Sequence, residues 1–545
     1  MCFGYLKSIF MLNMQIDNIK LQLYRPVWTC GRYNKENQVA IMYNLIEGIS
    51  YFFESYSAVV IGEVLSVERN GQVEIAKAVE DTGIAEESIG EFFDELLKLG
   101  LLVKKIPNKE QIIEYRKRVG KVNREKSVKT EKITQEKLPY EMSSAEYEYT
   151  ERSSGVTSVM LELTYNCSEQ CIHCYNSGAT RNDAEQCKRN RQELTFADYR
   201  RIIDELYSLG LMKVCLSGGD PFSSTIVWQI IDYLYKKEIA TIIYTNGQKL
   251  VGKVEHLISY YPCLIGISIY SGIEEDHDYI TRTKGSFKKS MQVASELADY
   301  GVPMNIKCCV MRTNVKTYYA VAALAKKLRA VPQFEICIIN SVDGDRCASE
   351  NLRLTPEMLE VVLRDDNVPL YVGKEAPNFD GQPKQMNINA CDAGKNSFCI
   401  TPEGYVQLCP SFSCSFGNIK NQTFTSIFQN SEILKWWQNL TLNDYEECGK
   451  HDYCSYCILC AGNNYIEHGT PLKAAELNCY FAKNRYGLVS KMKNGYDPLQ
   501  GKNLKQRLSE LQKEIRPLQQ VFAPYSNNYR GKRINGVSET ISEII

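Results

Sequence analysis

The sequence has almost no net charge, no long apolar run and no internal repeat, and each absence narrows what the chain does. With 64 Lys and Arg against 65 Asp and Glu its formal charge is −1, so no global field draws in nucleic acid or an anionic membrane surface. No stretch approaches the roughly eighteen apolar residues that a membrane span needs. The N-terminal stretch Met1–Gln15 is interrupted by Lys7 and lacks a small-residue cleavage site. A cytoplasmic protein is expected, with neither nucleic acid nor membrane as partner. What is abundant is cysteine, 21 of 545 residues. In a reducing compartment thiols stay free or bind metal, so a disulfide framework is disfavoured and metal is the leading account of the clustered ones. Cys215, Cys263, Cys308, Cys309 and Cys337 are dispersed in apolar strand-like runs and read as small core hydrophobes.

A chain of 545 residues suggests several domains. Residues 21–104 read as a small α+β module of winged-helix size. In it "QVAIMYNL" and "YSAVVIGEVLSV" are strand-like, and "EESIGEFFDELLKLG" is a helix with Ile89, Phe92, Phe93, Leu96 and Leu97 on one face and Gly100 as its stop. Residues 105–154 are crowded with charge and read as a solvated linker or exposed helix. Over 155–345, strand signals alternate with amphipathic stretches such as "TFADYRRIIDELYSLG", where Thr195 supplies a cap and Gly210 a stop. The fold class is therefore α/β, a partial six-stranded (β/α) barrel whose site lies at the carboxyl ends of its parallel strands. Residues 385–486 are rich in cysteine and weak in periodicity, so metal is expected to replace a hydrophobic core there. Residues 487–545 read as a surface helix and a polar tail.

At the end of the first barrel strand stand Cys167, Cys171 and Cys174, spaced Cys-x3-Cys-x2-Cys. Three thiolates can hold three irons of a four-iron cubane and leave the fourth iron open to a ligand that is not protein. Structural zinc is the alternative. It would require a fourth ligand, for which His173 and Cys187 are the nearby residues.

These residues resemble the radical S-adenosylmethionine superfamily, and three further stretches support the resemblance. "SGGDP", with Gly218, Gly219 and Asp220, is similar to the GGE motif that contacts the amino group of the nucleotide's methionine moiety, with Asp in place of the usual Glu. "YTNG" brings Thr245, Asn246 and Gly247, and "ISIYS" brings Ser268, to the next two strand ends, where relatives present polar groups to the cofactor. The resemblance implies an enzyme with a [4Fe-4S] cluster and S-adenosylmethionine. An external donor such as flavodoxin or ferredoxin would reduce that cluster, and a 5′-deoxyadenosyl radical would abstract a hydrogen atom.

Cys391-x12-Gly404-x4-Cys409 resembles the first half of the SPASM domain, which implies two auxiliary [4Fe-4S] clusters. The second half departs from that pattern, running Cys448-x5-Cys454-x2-Cys457-x2-Cys460 with Asn464 where a last cysteine is expected. Cys454, Cys457, Cys460 and Cys479 are assigned to one auxiliary cluster. Cys391, Cys399 and Cys409 are assigned to the other, with Cys448 as fourth ligand and His451 as an outside candidate; zinc on the same residues is the alternative. The acidic helix of the front module (Glu86, Glu87, Glu91, Asp94, Glu95) argues against DNA. The module resembles the leader-recognition element of peptide maturases, similar to the small chaperone of quinone-cofactor biosynthesis, which implies a ribosomal precursor peptide bound through its leader. The competing readings are a maturase of sulfatase type and, in another class, a non-catalytic zinc-bound scaffold.

Overall fold

A computed structural model describes residues 22–83, 86–130, 142–153, 155–176, 193–342, 346–373, 386–389 and 391–511. Cys187 lies outside the described residues. β1 (Leu23–Tyr24) pairs with β5 (Gln72–Val73), and between them β2 (Thr29–Asn34), β3 (Val39–Asn44) and β4 (Ile49–Glu54) form an antiparallel meander. Helices Ser55–Ser66, Ile75–Thr82 and Glu86–Lys98 cover one face, and Met42, Ile61, Val64, Phe93 and Leu96 form a core of their own. The stretch expected to be a second strand is the helix Ser55–Ser66. Its Ala58, Ile61 and Val64 recur every three residues and are completely buried, and packing that face outweighs the strand preference of its β-branched residues.

Helix Lys109–Thr130 is followed by helix Ser144–Ser153, in which Glu146, Tyr149, Thr150 and Ser153 are buried. The second helix is thus packed where a solvated segment was expected. Two of its polar side chains find partners inside, the Glu146 carboxylate accepting from both Tyr43 and Lys213 and the Thr150 hydroxyl bonding that of Thr157.

Six parallel strands follow in chain order: β6 (Ser158–Glu162), β7 (Lys213–Ser217), β8 (Ala240–Thr245), β9 (Leu264–Ser268), β10 (Met304–Cys309) and β11 (Val331–Glu335). They are the six strands expected from sequence, with helices as crossovers. Alternate residues along them face outward into the apolar layer under the helices, as Ile243, Ile265 and Ile306 do. The intervening residues line an interior cavity. The cysteine-rich region continues the same sheet: β12 (Ser397–Ile400) pairs in parallel with β6, and β13 (Tyr405–Gln407) and β14 (Gly417–Asn418) add antiparallel strands, nine strands in all. Phe398, Phe412, Phe424 and Trp437 join the apolar cluster of the barrel. This region therefore has a hydrophobic core as well as thiols, against the expectation that metal replaces one.

The front module sits at the amino-terminal ends of the strands. Ile41 and Tyr43 pack against Met212, Ala240 and Cys263, at or beside the starts of β7, β8 and β9. Arg25 pairs with Glu238, while Arg32 and Arg69 stack on Tyr207 and Tyr235 at 3.7 and 4.1 Å. Among the described residues no helix is long and apolar enough to cross a membrane.

Candidate functional site

The carboxyl ends of β6 to β9 meet at the loop that carries the three clustered cysteines. The two residues after Ser217 must be glycine for a steric reason. Gly218 has φ +123° and an added Cβ would lie 2.3 Å from the Thr164 carbonyl oxygen, while at Gly219 it would lie 2.5 Å from the carbonyl oxygens of both Tyr165 and Asn166. The β7 turn thereby lies directly against the cysteine loop, and Gly219 N donates to Thr164 O at 2.7 Å.

Asp220 is fully buried and is not on the cavity wall. One carboxylate oxygen accepts from Thr245 Oγ1 at 2.6 Å and Asn246 N at 2.9 Å, and the other accepts from Phe222 N at 2.9 Å. Burial pushes its pKa up, and these three hydrogen bonds oppose that shift. In this structure it locks the β8 end to the β7 end. Asn246 passes that order on: its amide Nδ2 donates to Cys167 Sγ at 3.4 Å and to Ser168 Oγ at 3.2 Å. Ser268, at the end of β9, faces the cavity.

Cys167, Cys171 and Cys174 all line this cavity, which has a volume of about 1030 Å3 and runs from the cysteine loop down to Lys213 near the floor. Burial pushes the Glu169 carboxyl up to about 8. His173 also lines the cavity and stands edge-on to Tyr270, their ring centres 4.5 Å apart. At the floor, Lys213 pairs with Glu146 at 2.9 Å, and both side chains are less than 8% exposed.

Across the cavity from the first cysteine group lie Cys399, Cys409 and Cys460. A second, smaller pocket is lined by Cys448, Cys454, Cys457 and Cys479 together with His451. The grouping thus differs from the one expected. Cys460 is the common neighbour of Cys391 and Cys409, and Cys448 joins the three thiols of the second pocket. Asn464, at the position expected for a cysteine, is a structural clamp, donating to Pro471 O at 2.7 Å and accepting from Ala475 N at 2.8 Å just before the helix that carries Cys479. Cys414 is in the apolar core.

The donor set fits iron–sulfur clusters. Thiols are placed around the walls of two pockets, and no group of three or more His, Cys, Asp or Glu among the described residues converges on a single-ion point. A multi-iron cluster needs such spacing, because its ligands bind separate corners of a cube. Gly218 and Gly219 line the same cavity as the first group.

Several cavity residues escaped the sequence reading. Cys263 and Cys308 are buried as core residues, as expected, but Cys308 also reaches the cavity wall, and Cys215, Cys309 and Cys337 line the cavity with Lys307 and Glu335. The available signal was a two-residue alternation of polar groups, Lys213-x-Cys215-x-Ser217 and Gln333-x-Glu335-x-Cys337.

Comparison with known proteins gives the same two regions. The profile of the radical SAM superfamily matches residues 161–321, and that of an iron–sulfur cluster-binding domain, SPASM, matches residues 391–461. The chain is 26% identical over 337 residues to the antilisterial bacteriocin subtilosin biosynthesis protein AlbA of Bacillus subtilis, covering 59% of this chain and 69% of that protein. It is 26% identical over 326 residues to an AdoMet-dependent heme synthase of Methanosarcina barkeri, covering 55% and 89%. It is 30% identical over 336 residues to the mycofactocin maturase MftC of Mycobacterium ulcerans, covering 58% and 86%.

Proposed function

The chain belongs to the radical S-adenosylmethionine superfamily and carries a SPASM iron–sulfur domain, and on that premise we propose that this enzyme is a maturase of a ribosomally made peptide, which it modifies by oxidative crosslinking. Its cofactors are a [4Fe-4S] cluster, S-adenosylmethionine and auxiliary iron–sulfur clusters. When bound, they supply a 5′-deoxyadenosyl radical and an acceptor for the second electron of an oxidation.

The chain's own residues divide the remaining work. Cys167, Cys171 and Cys174 hold the first cluster, and Asn246 orients Cys167 by its amide hydrogen bond. Gly218 and Gly219 let the β7 end lie against the cysteine loop on the cavity wall, Asp220 and Thr245 keep the two strand ends in register, and Ser268 adds a hydroxyl to the wall. Cys391, Cys409 and Cys460 hold the auxiliary cluster facing the cavity, and Cys448, Cys454, Cys457 and Cys479 hold the outer one. Cavity walls exclude water from the reacting carbon.

The observation that carries the peptide reading is the front module. β2 and β4 each pair with a strand on one side only among the described strands, so an extended leader can add there by main-chain hydrogen bonds. The similarity to AlbA and to the maturase MftC supports the same class of substrate. Because the module sits at the floor and the cysteine loop at the other end, the peptide must run the height of the barrel. Strands of this length span roughly 17–20 Å, so at least about six extended residues separate leader and modified site.

The test is mass spectrometry of a small peptide encoded beside this chain and co-expressed with it anaerobically. Loss of two hydrogens per modification is the expected result. An unchanged mass with altered stereochemistry indicates epimerisation, and an aldehyde at Cys or Ser indicates the sulfatase-type reaction. A second reading, chemistry on a tetrapyrrole, has the identity to the heme synthase in its favour. Spectral shifts on titration with an iron porphyrin, with no change in any peptide, would select it.

A further inference from the structure

Glu335 ends β11 and lines the cavity, where its side chain is exposed although the barrel walls surround it. Its Oε1 accepts from Cys337 N at 2.7 Å, which holds the carboxylate in one orientation. Its cross-strand partner is Cys309 on β10, and Cys309 packs with Cys171 against one apolar cluster that includes Ile172 and Ile338. The chain beyond β11 then bonds the cysteine loop itself: Val342 N and Ser341 Oγ donate to Tyr175 O at 2.9 and 3.2 Å. Glu335 thus stands on the cavity wall at the end where the cysteine loop lies.

The lysines of the same cavity have other seats. Lys213 is paired with Glu146 at the floor. Lys307 is two positions deeper on β10, roughly 7 Å along the strand, and its Nζ rests 3.2 Å from the centre of the Tyr244 ring. An enclosed carboxylate is short of water, and burial pushes the pKa of Glu335 up against the bonds from Cys337 and the charge of Lys307. A cation carried in by the substrate offsets that cost.

We propose that Glu335 is a specificity-determining residue, which takes the side chain of a Lys or Arg lying beside the modified residue of the substrate peptide. A peptide with a neutral side chain there leaves an enclosed carboxylate unpaired, so the wall selects against it. This inference rests on the peptide-maturase reading.

The experiment uses the anaerobically reconstituted, dithionite-reduced full chain with saturating S-adenosylmethionine. The probes are the co-encoded peptide and variants in which each Lys and Arg beyond its leader is changed in turn to Gln. Each variant competes with the parent peptide in one reaction, and mass spectrometry reads the ratio of modified forms. On the wild-type chain one replacement is expected to lose at least about tenfold. In Glu335→Gln, whose amide oxygen still accepts from Cys337 N, that ratio should fall to about one, with iron content unchanged. Cys309→Ala, a change on the adjoining strand, should keep the wild-type ratio. Modification of a peptide that has no Lys or Arg beyond its leader overturns the proposal, as does a set of replacements none of which loses on the wild-type chain, a readout that needs no enzyme variant to fold. An undiminished ratio in Glu335→Gln or an equal collapse in Cys309→Ala also overturns it. So does weaker binding of S-adenosylmethionine to Glu335→Gln in equilibrium dialysis, which would assign the carboxylate to the ammonium group of the nucleotide. A wild-type chain that modifies no peptide refutes the maturase reading itself and this inference with it.

Discussion

An added Cβ at Gly219 would collide with the carbonyl oxygens of Tyr165 and Asn166, both of them backbone atoms on the cysteine loop. Relief requires the loop to move away from β7. Gly219→Ala is therefore expected to lower 5′-deoxyadenosine formation at least about tenfold, the cost of roughly 1.4 kcal/mol in the transition state, while auxiliary iron is retained; undiminished cleavage would show that the loop has room. Changing Cys167, Cys171 or Cys174 to Ala should abolish 5′-deoxyadenosine altogether, as read by chromatography of quenched reactions.

His277 makes a different prediction. It is completely buried, its Nδ1 accepts from Tyr270 N at 3.1 Å, and burial lowers its pKa from 6.5 to about 4. The denatured chain takes up a proton as pH falls through 6.5, and the folded chain does so only near 4. Stability is thus expected to fall across that window, by up to about 3 kcal/mol, and to be unaffected by this group above it. Melting temperatures of the wild type and His277→Gln should converge as pH drops from 7 to 5, and parallel curves would refute the assignment. At this scale the sequence made the cluster cysteines legible because their spacing is chemical. Asp220 follows the glycine turn as the motif places it, but its bonds to Thr245 and Asn246 on the next strand end are not written in the motif. Cys215 and Cys309 were hidden because a thiol on a strand looks the same facing inward or outward.

The helix Ser144–Ser153 is held to the barrel floor by a single buried ion pair, Glu146 with Lys213, and by the Tyr43 hydroxyl donating to the same carboxylate at 2.9 Å. Removing one partner leaves a buried charge alone. Glu146→Ala is expected to destabilise the protein by about 3–5 kcal/mol, with a clear drop in melting temperature. The double change Glu146→Leu with Lys213→Met should recover most of that loss, since the hydrophobic pair carries no desolvation cost; failure to recover would mean that the pair organises the floor beyond its own energy. Helices were readable where their ends are chemically marked. Thr195 accepts from Asp198 N at 3.3 Å and Gly210 follows in the left-handed region, as the sequence suggested. The helix Ser55–Ser66 was read as a strand because a run of Val and Ile carries no period when most of its positions are apolar. The strand β12 was missed for another reason: its four residues pair with β6 from more than two hundred positions away, and no local signal records that.

At the scale of the whole molecule, one large cavity among the described residues has thiols on its walls, and the front module packs at the amino-terminal ends of the barrel strands. Three four-iron clusters correspond to about a dozen irons per chain, which iron and sulfide analysis of reconstituted protein should return; zinc in place of iron would contradict the cluster assignments. Excising the chain through Lys104 removes the strands proposed to dock the leader and also uncovers Met212, Ala240 and Cys263 at the floor. Loss of peptide binding in such a truncation is therefore expected to come with a lower melting temperature. Changes confined to the outer edges of β2 and β4 separate the two effects. The barrel was legible from alternating strand and helix signals, and the union of the cysteine-rich region with the barrel sheet was not, because sheet continuity is a property of the folded chain alone.

The most direct measurement is the formation of 5′-deoxyadenosine from S-adenosylmethionine by anaerobically reconstituted, dithionite-reduced protein. The nucleoside should appear with wild-type chain and be absent from Cys174→Ala of equal auxiliary iron content. Iron-loaded wild-type protein that leaves the nucleotide intact would contradict the assignment of the three-thiol loop as the cleavage site.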